Sequence, residues 1–347
     1  MLQAYDIAAS YAENFERGPQ LDPPLSVPSV PPDHFLGKTV NSCLGIAAGL
    51  LPNAKWIGAY AERGWDLLTY KTVRSVERAC YPVPNWVFVN AEAGYGPVVA
   101  TETLPSNPAD ISSAVCFGMP SREPEFWRDD IARAKAALCE GQLLLVSVVA
   151  SPETDWSVAQ VADDYAQCAT WAAEAGADVV EANYSCPNVC SAEGQVYTDV
   201  ALSDTVTKTI RSGLGETPLL LKIGVFPDVT RQRDFLRTVA GCANGITLVN
   251  GIAREVRYAD GRPVFGESYL KAGVLGRVIH EPCVAAVREV RAVIDAEQLQ
   301  LALAAVGGVS SRADYRDFME AGADAVLCGS SPMYLPDLAC EIKTGLR

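Results

Sequence analysis

With 347 residues, 49% of them apolar and 20% charged, the chain has the composition of a globular protein large enough for one big α/β domain. A formal charge of −14 excludes a surface built to track nucleic-acid phosphates, which needs clustered Lys and Arg, and opposes docking on anionic lipid. No apolar run reaches the roughly 18 residues needed to span a bilayer.

Residues 1–40 become Pro-rich at Pro19, Pro23, Pro24, Pro28, Pro31 and Pro32. They resemble neither a cleavable leader nor a cationic transit segment, so the expectation is a cytoplasmic protein with an N-terminal extension packed on a domain at 41–347. From there short apolar runs alternate with helical patterns. The predicted strands are Cys43–Ala48, Leu67–Thr72, Leu143–Ala150, Asp178–Ser185, Leu219–Gly224, Gly245–Asn250, Leu301–Val306 and Ala325–Gly329. Most are unbroken Val/Leu/Ile/Ala stretches, as parallel strands buried on both faces require.

The clearest predicted helices are Ser157–Ala175, Asp204–Gly213, Val229–Cys242, Ile279–Ile294 and Arg312–Ala321, each with the spacing of a βαβ crossover. Gly-Ala-Asp recurs before two strands, at Gly176 and Gly322, where the glycine can end a helix. Eight strands and their helices predict an α/β fold, a TIM (β/α)8 barrel, with long insertions after strands 2 and 6. These cover 73–141 and 251–275; excursions of that length usually form functional walls or lids, and neither reads as a separate domain.

Eleven cysteines without a C-x-x-C pair argue against zinc or iron–sulfur ligation, and no metal is expected. Most of these thiols are expected to be small buried hydrophobes. With only His34 and His280 available, proton transfer should fall to another residue type.

Gly307-Gly308 ends the seventh predicted strand and Gly329-Ser330 the eighth, the places where barrels often hold phosphate. Glycine lets backbone N–H groups approach an anion, and Ser310 or Ser311 is placed to cap the following helix. A cofactor phosphate and a phosphorylated substrate both fit. Lys71 and Lys222 end apolar strands, where a lysine is costly unless it meets a partner. A rim lysine reaching for water, a cation facing developing negative charge and a Schiff-base lysine remain open for each. The fourth strand ends Asn183-Tyr184-Ser185-Cys186-Pro187-Asn188, bringing amide, hydroxyl and thiol groups to the barrel mouth. Asn side chains offer both donor and acceptor, suited to a planar heterocycle.

On these residues the chain resembles the dihydroorotate dehydrogenase family, and also the pyrimidine-reducing barrel of dihydropyrimidine dehydrogenase. The resemblance runs from about residue 41 to 340 and is weak across 73–141. It implies FMN across the barrel mouth. Ala47, Ala48, Gly49, Lys71, Thr72, Asn183, Lys222, Val249 and Gly276 would then contact the flavin, and Gly307, Gly308, Gly329 and Ser330 its phosphate. Lys71, Asn183, Asn188 and Asn250 would bind the substrate, a dihydropyrimidine, with dihydroorotate first. Cys186 would be the acid/base while hydride passes to flavin N5, and Lys222 would stabilise negative charge on the reduced flavin. A cysteine at this position resembles the soluble class of the family, and a homodimer is implied.

Two departures bear on the substrate. Where those enzymes carry an Asn-Ser-Met-Gly-Leu-Pro-Asn-like loop, this chain has Val115-Cys116-Phe117-Gly118-Met119-Pro120-Ser121, and Gly251 stands where the family has a hydroxyl residue. Both remove hydrogen-bond donors, which keeps a neutral pyrimidine or related cyclic amide as the alternative substrate. A Lys222 Schiff-base aldolase and a barrel kept only for binding are the rival functions.

Overall fold

Alternating burial, two-sided in the strands and one-sided in the helices, closes this chain into a barrel. A computed structural model describes residues 4–92, 94–185, 192–249 and 251–346. Eight parallel strands form the closed cylinder: Leu44–Leu51, Leu67–Val73, Leu143–Val148, Val179–Asn183, Leu219–Ile223, Gly245–Leu248, Ala302–Val306 and Ala325–Cys328. They neighbour one another in sequence order and the eighth pairs with the first, Val326 opposite Leu44. All six residues of Leu143–Val148 are buried, because the lumen lies on one side and the helices on the other.

Local signals set the helix boundaries. Ser157 and Gln160 form a capping box before Val158–Glu174, and Asp228 caps Val229–Val239 through Arg231 N. The repeated Gly-Ala-Asp does more than end helices. Gly176 and Gly322 take positive φ. The aspartate that follows each then accepts the second amide of the neighbouring strand: Asp178 from Leu144 N at 2.8 Å and Asp324 from Leu303 N at 2.7 Å. Each motif therefore joins a helix end to the bottom edge of the barrel.

The hairpin Asp33–Phe35/Lys38–Val40 plugs the lower end, its Phe35 and Val40 packing with the lumen residues Leu67, Leu143 and Val179. At the upper end the two insertions meet. Strands Trp86–Asn90, Val98–Ala100 and Ser112–Val115 from the first join Ile252–Arg257 and Lys271–Gly276 from the second in a small closed five-stranded sheet. The N-terminal segment crosses the same region: Ala4 N donates to Met333 O at 2.8 Å, and Tyr5 packs on Trp86 and Phe117. Among the described residues no helix is long and apolar enough to cross a membrane.

Candidate functional site

The C-terminal ends of the barrel strands surround a cavity with about 1070 Å³ of empty space. Its lining contains Ala47, Ala48 and Gly49 of the first strand, Lys71 and Thr72 of the second, and Asn183 of the fourth. Lys222, Val249, Gly276, Gly307, Gly308, Gly329 and Ser330 complete the set expected at a cofactor. Residues separated by up to 283 positions thus meet at one place because parallel strands deliver all their C-terminal ends to one face. Cys186, Asn188 and Asn250 lie outside the described residues.

The strand-end lysines are not rim lysines. Lys71 is 6% exposed and Lys222 2%. Lys71 Nζ lies 5.5 Å from the Phe117 ring and 5.8 Å from that of Tyr11, a cation seated between aromatic faces. Lys222 pairs with buried Glu181 at 3.5 Å. Imine chemistry needs a lysine free to meet a substrate carbonyl carbon, so this ion pair opposes the aldolase reading. Asn183 is fixed on three sides: Tyr165 Oη donates to its carbonyl at 2.9 Å, its Oδ1 accepts from Ser185 N at 3.2 Å, and its Nδ2 donates to Met119 Sδ at 3.6 Å. Thr72 and Ser147 hydroxyls bond at 3.0 Å.

The two glycine-ended loops form a braced cradle. Gly307 and Gly308 both take positive φ, and an added Cβ at Gly307 would collide with Cys283. At Gly308 it would lie 2.6 Å from Gly276 O and 2.9 Å from His280 Cβ. Ser331 Oγ donates to Val309 O at 2.5 Å, tying the eighth loop to the seventh. Ser311 caps the helix Arg312–Glu320 through Asp314 N, while Ser310 Oγ donates to Ala109 O at 2.9 Å. His280 Nδ1 lies 3.1 Å from Gly307 O, a carbonyl that only accepts, so Nδ1 donates there; Asp317 sits 3.0 Å from the other ring nitrogen. Glycines that permit close approach, a capped helix and backbone held by its neighbours fit a phosphate group, and the broad apolar chamber beside them fits a flat ring system. The residues present therefore fit a phosphate-bearing flavin.

The upper wall comes from the small sheet and its loops: Trp86, Val115, Phe117, Met119, Gly251 and Leu275. Gly251 has φ +73°, and an added Cβ would lie 3.2 Å from Leu275 Cδ2, so this backbone suits glycine where the family carries a hydroxyl residue.

A profile of the family described as Dihydroorotate dehydrogenase matches residues 33–347. The chain belongs to the dihydroorotate dehydrogenase family. It is 32% identical to the "Dihydroorotate dehydrogenase" of Dictyostelium discoideum, covering 97% of this chain and 95% of that protein. It is 28% identical to the "Dihydroorotate dehydrogenase B (NAD(+)), catalytic subunit" of Staphylococcus carnosus, over 52% of this chain and 57% of the relative. In fold it is similar to a crystal structure of DHODH from Eimeria tenella in complex with ferulenol, with a TM-score of 0.71 at 18% identity, covering 89% of this chain and 82% of that one. The family match spans 73–141, where the sequence resemblance is weak, and this segment supplies Trp86, Val115, Phe117 and Met119 to the wall of the site.

Sequence reasoning missed three groups. One is Trp86, which lies in the insertion, where short strands among Pro and Gly left no periodicity. His280 was set aside by counting histidines, although it supports the glycine loop. Glu181 was hidden inside an apolar strand; an acid there demands a cation, and that was the available signal.

Proposed function

We propose that this protein oxidises dihydroorotate to orotate in the barrel-mouth cavity with FMN as its cofactor. The observation that carries the reading is the convergence of two buried lysines, Asn183 and the braced Gly307-Gly308 cradle on one cavity, in a chain of this family.

The residues divide the work by chemistry. Gly307, Gly308, Gly329 and Ser330 hold the phosphate through backbone amides and one hydroxyl. Lys222 presents its charge from the lumen to the pyrimidine edge of the ring, while Lys71 and Thr72 meet both ring and substrate. Asn183, locked by Tyr165 and Ser185, offers donor and acceptor to the substrate amides, joined by Asn188 and Asn250. FMN held by these residues would supply the two-electron acceptor for the hydride that leaves one substrate ring carbon. Cys186, as thiolate, removes the proton from the neighbouring carbon, next to the carbonyl. Two observations support that role: Cys186 follows Ser185 directly in the sequence, and the Ser185 amide is held by Asn183 Oδ1 at 3.2 Å.

A second reading has one observation in its favour. Val115, Phe117 and Met119 make an apolar wall where the resembling enzymes grip a carboxylate with amides, which suits a neutral dihydropyrimidine or related cyclic amide. Lys71 is the cation that would offset this for dihydroorotate. Steady-state rates with dihydroorotate and with dihydrouracil separate the two. A kcat/KM for dihydroorotate at least tenfold the higher supports the proposal, and the reverse order overturns it.

A further inference from the structure

Side chains alternate along each strand, so residues two positions above known lumen residues also face the lumen. Leu67, Leu145, Val179 and Leu220 belong to the apolar lumen cluster. Two positions above them stand Thr69, Ser147, Glu181 and Lys222, and Thr247 stands opposite Lys222 in the sixth strand. A polar layer therefore lies between the apolar barrel core and the cavity floor. Ser147 is satisfied by Thr72, but Thr69 Oγ1, Thr247 Oγ1 and both carboxylate oxygens of Glu181 have no hydrogen-bond partner among the described residues. Glu181 is fully buried. Among the described residues its one ion-pair partner is Lys222, at 3.5 Å, and Lys222 pairs with no other acid.

A lysine that is 2% exposed and a fully buried acid are each costly without an opposite charge beside them. The two charges are explained only together. Lys222 lines the cavity while Glu181 does not, so the carboxylate lies behind the ammonium as seen from the cavity.

We infer that Glu181 is a positioning residue, which holds the Lys222 ammonium directed at the cavity and so sets the affinity for the flavin and its reduction potential. The inference rests on the flavin reading of the site. Neutralising the acid removes the partner that anchors the Lys222 side chain, and an ammonium no longer held toward the cavity stabilises the electron-rich reduced ring less.

The test is a spectroelectrochemical titration of the bound flavin in holoenzyme, with FMN dissociation measured in parallel, for wild type, E181Q, K222M and the double variant. E181Q is expected to lower the preference for reduced over oxidised flavin about tenfold, equivalent to about 30 mV more negative for a two-electron couple. In the double variant the potential is expected to equal that of K222M alone, because Glu181 acts through Lys222. A wild-type potential in E181Q beside a shifted one in K222M leaves Glu181 a purely structural group and overturns the inference. A more positive potential in E181Q overturns it too, since the acid would then act on the flavin directly. An unchanged K222M removes the flavin role of Lys222 and this inference with it, and protein that binds no flavin removes the functional reading itself. If E181Q does not fold, E181D keeps the charge but withdraws it by one methylene; a smaller shift in the same direction supports the inference, and no shift overturns it.

Discussion

Replacing Gly308 by Ala tests the phosphate cradle with one methyl group. Gly308 has φ +66°, where an L-residue carries strain of about 1–2 kcal/mol. The new Cβ would lie 2.6 Å from Gly276 O, 2.9 Å from His280 Cβ and 3.0 Å from His280 N. None of these is the tip of a flexible side chain, so the loop itself must give way by several tenths of an ångström. Hydrogen bonds from its amides to a charged phosphate are worth about 1.5–3 kcal/mol each. Misaligning one raises the FMN dissociation constant by about 10- to 100-fold, since 1.4 kcal/mol is tenfold. Gly261→Ala is the control: its φ is +87° but nothing lies within 4 Å of the added Cβ, so it carries the strain without the collision. The assay is FMN binding to apoprotein by fluorescence quenching, with thermal unfolding of both variants alongside. Wild-type FMN affinity in folded G308A would refute the assignment of this loop to the phosphate.

Three further outcomes are expected. Cys186→Ser keeps FMN but loses at least about 100-fold in turnover near neutral pH, within the usual contribution of a positioned acid/base, and an unchanged rate removes Cys186 from the mechanism. Iodoacetamide at pH 7 leaves Cys80 essentially unlabelled: burial pushes its thiol up to about 11, despite the opposing charge of Lys71, so only about one molecule in 10⁴ is thiolate, rising tenfold per pH unit. Peptide mapping that finds Cys80 alkylated as fast as exposed Cys139 contradicts this. Lys343→Met strands Asp66 at the foot of the barrel, where the two side chains, 2% and 1% exposed, pair at 2.6 Å. Breaking such a pair costs about 3–5 kcal/mol by chemical denaturation. Because burial pushes the Asp66 carboxyl up and Lys343 opposes it, removing Lys343 penalises the charged form, and part of the loss returns as pH falls and the carboxyl protonates. A loss under 1 kcal/mol, or one that grows on acidification, contradicts the burial argument.

The barrel was legible because its strands are buried on both faces, which forces unbroken apolar runs such as Leu143–Val148 and Leu219–Ile223. The cradle was legible because Gly307 and Gly308 have backbone angles and neighbours that exclude a side chain. The five-stranded roof was not. Trp86–Asn90 and Ile252–Arg257 join one sheet from segments more than 150 residues apart, and strands of three to six residues among Pro and Gly leave no local period. Helix Val200–Leu214 began four residues before the predicted Asp204 because Asp199, not Asp204, supplies the cap. Of the candidate site, the lysines stood out because charge in an apolar strand is anomalous. The same argument applied to Glu181 leads to Lys222, but only the register of the fourth and fifth strands brings the two together.

The central claim is that a flavin in this cavity accepts electrons from dihydroorotate. Anaerobic addition of dihydroorotate to the purified holoenzyme tests it most directly. The yellow flavin absorbance is expected to bleach, with one orotate formed per flavin. A flavin that stays oxidised under excess dihydroorotate, yet bleaches with a neutral dihydropyrimidine, contradicts it.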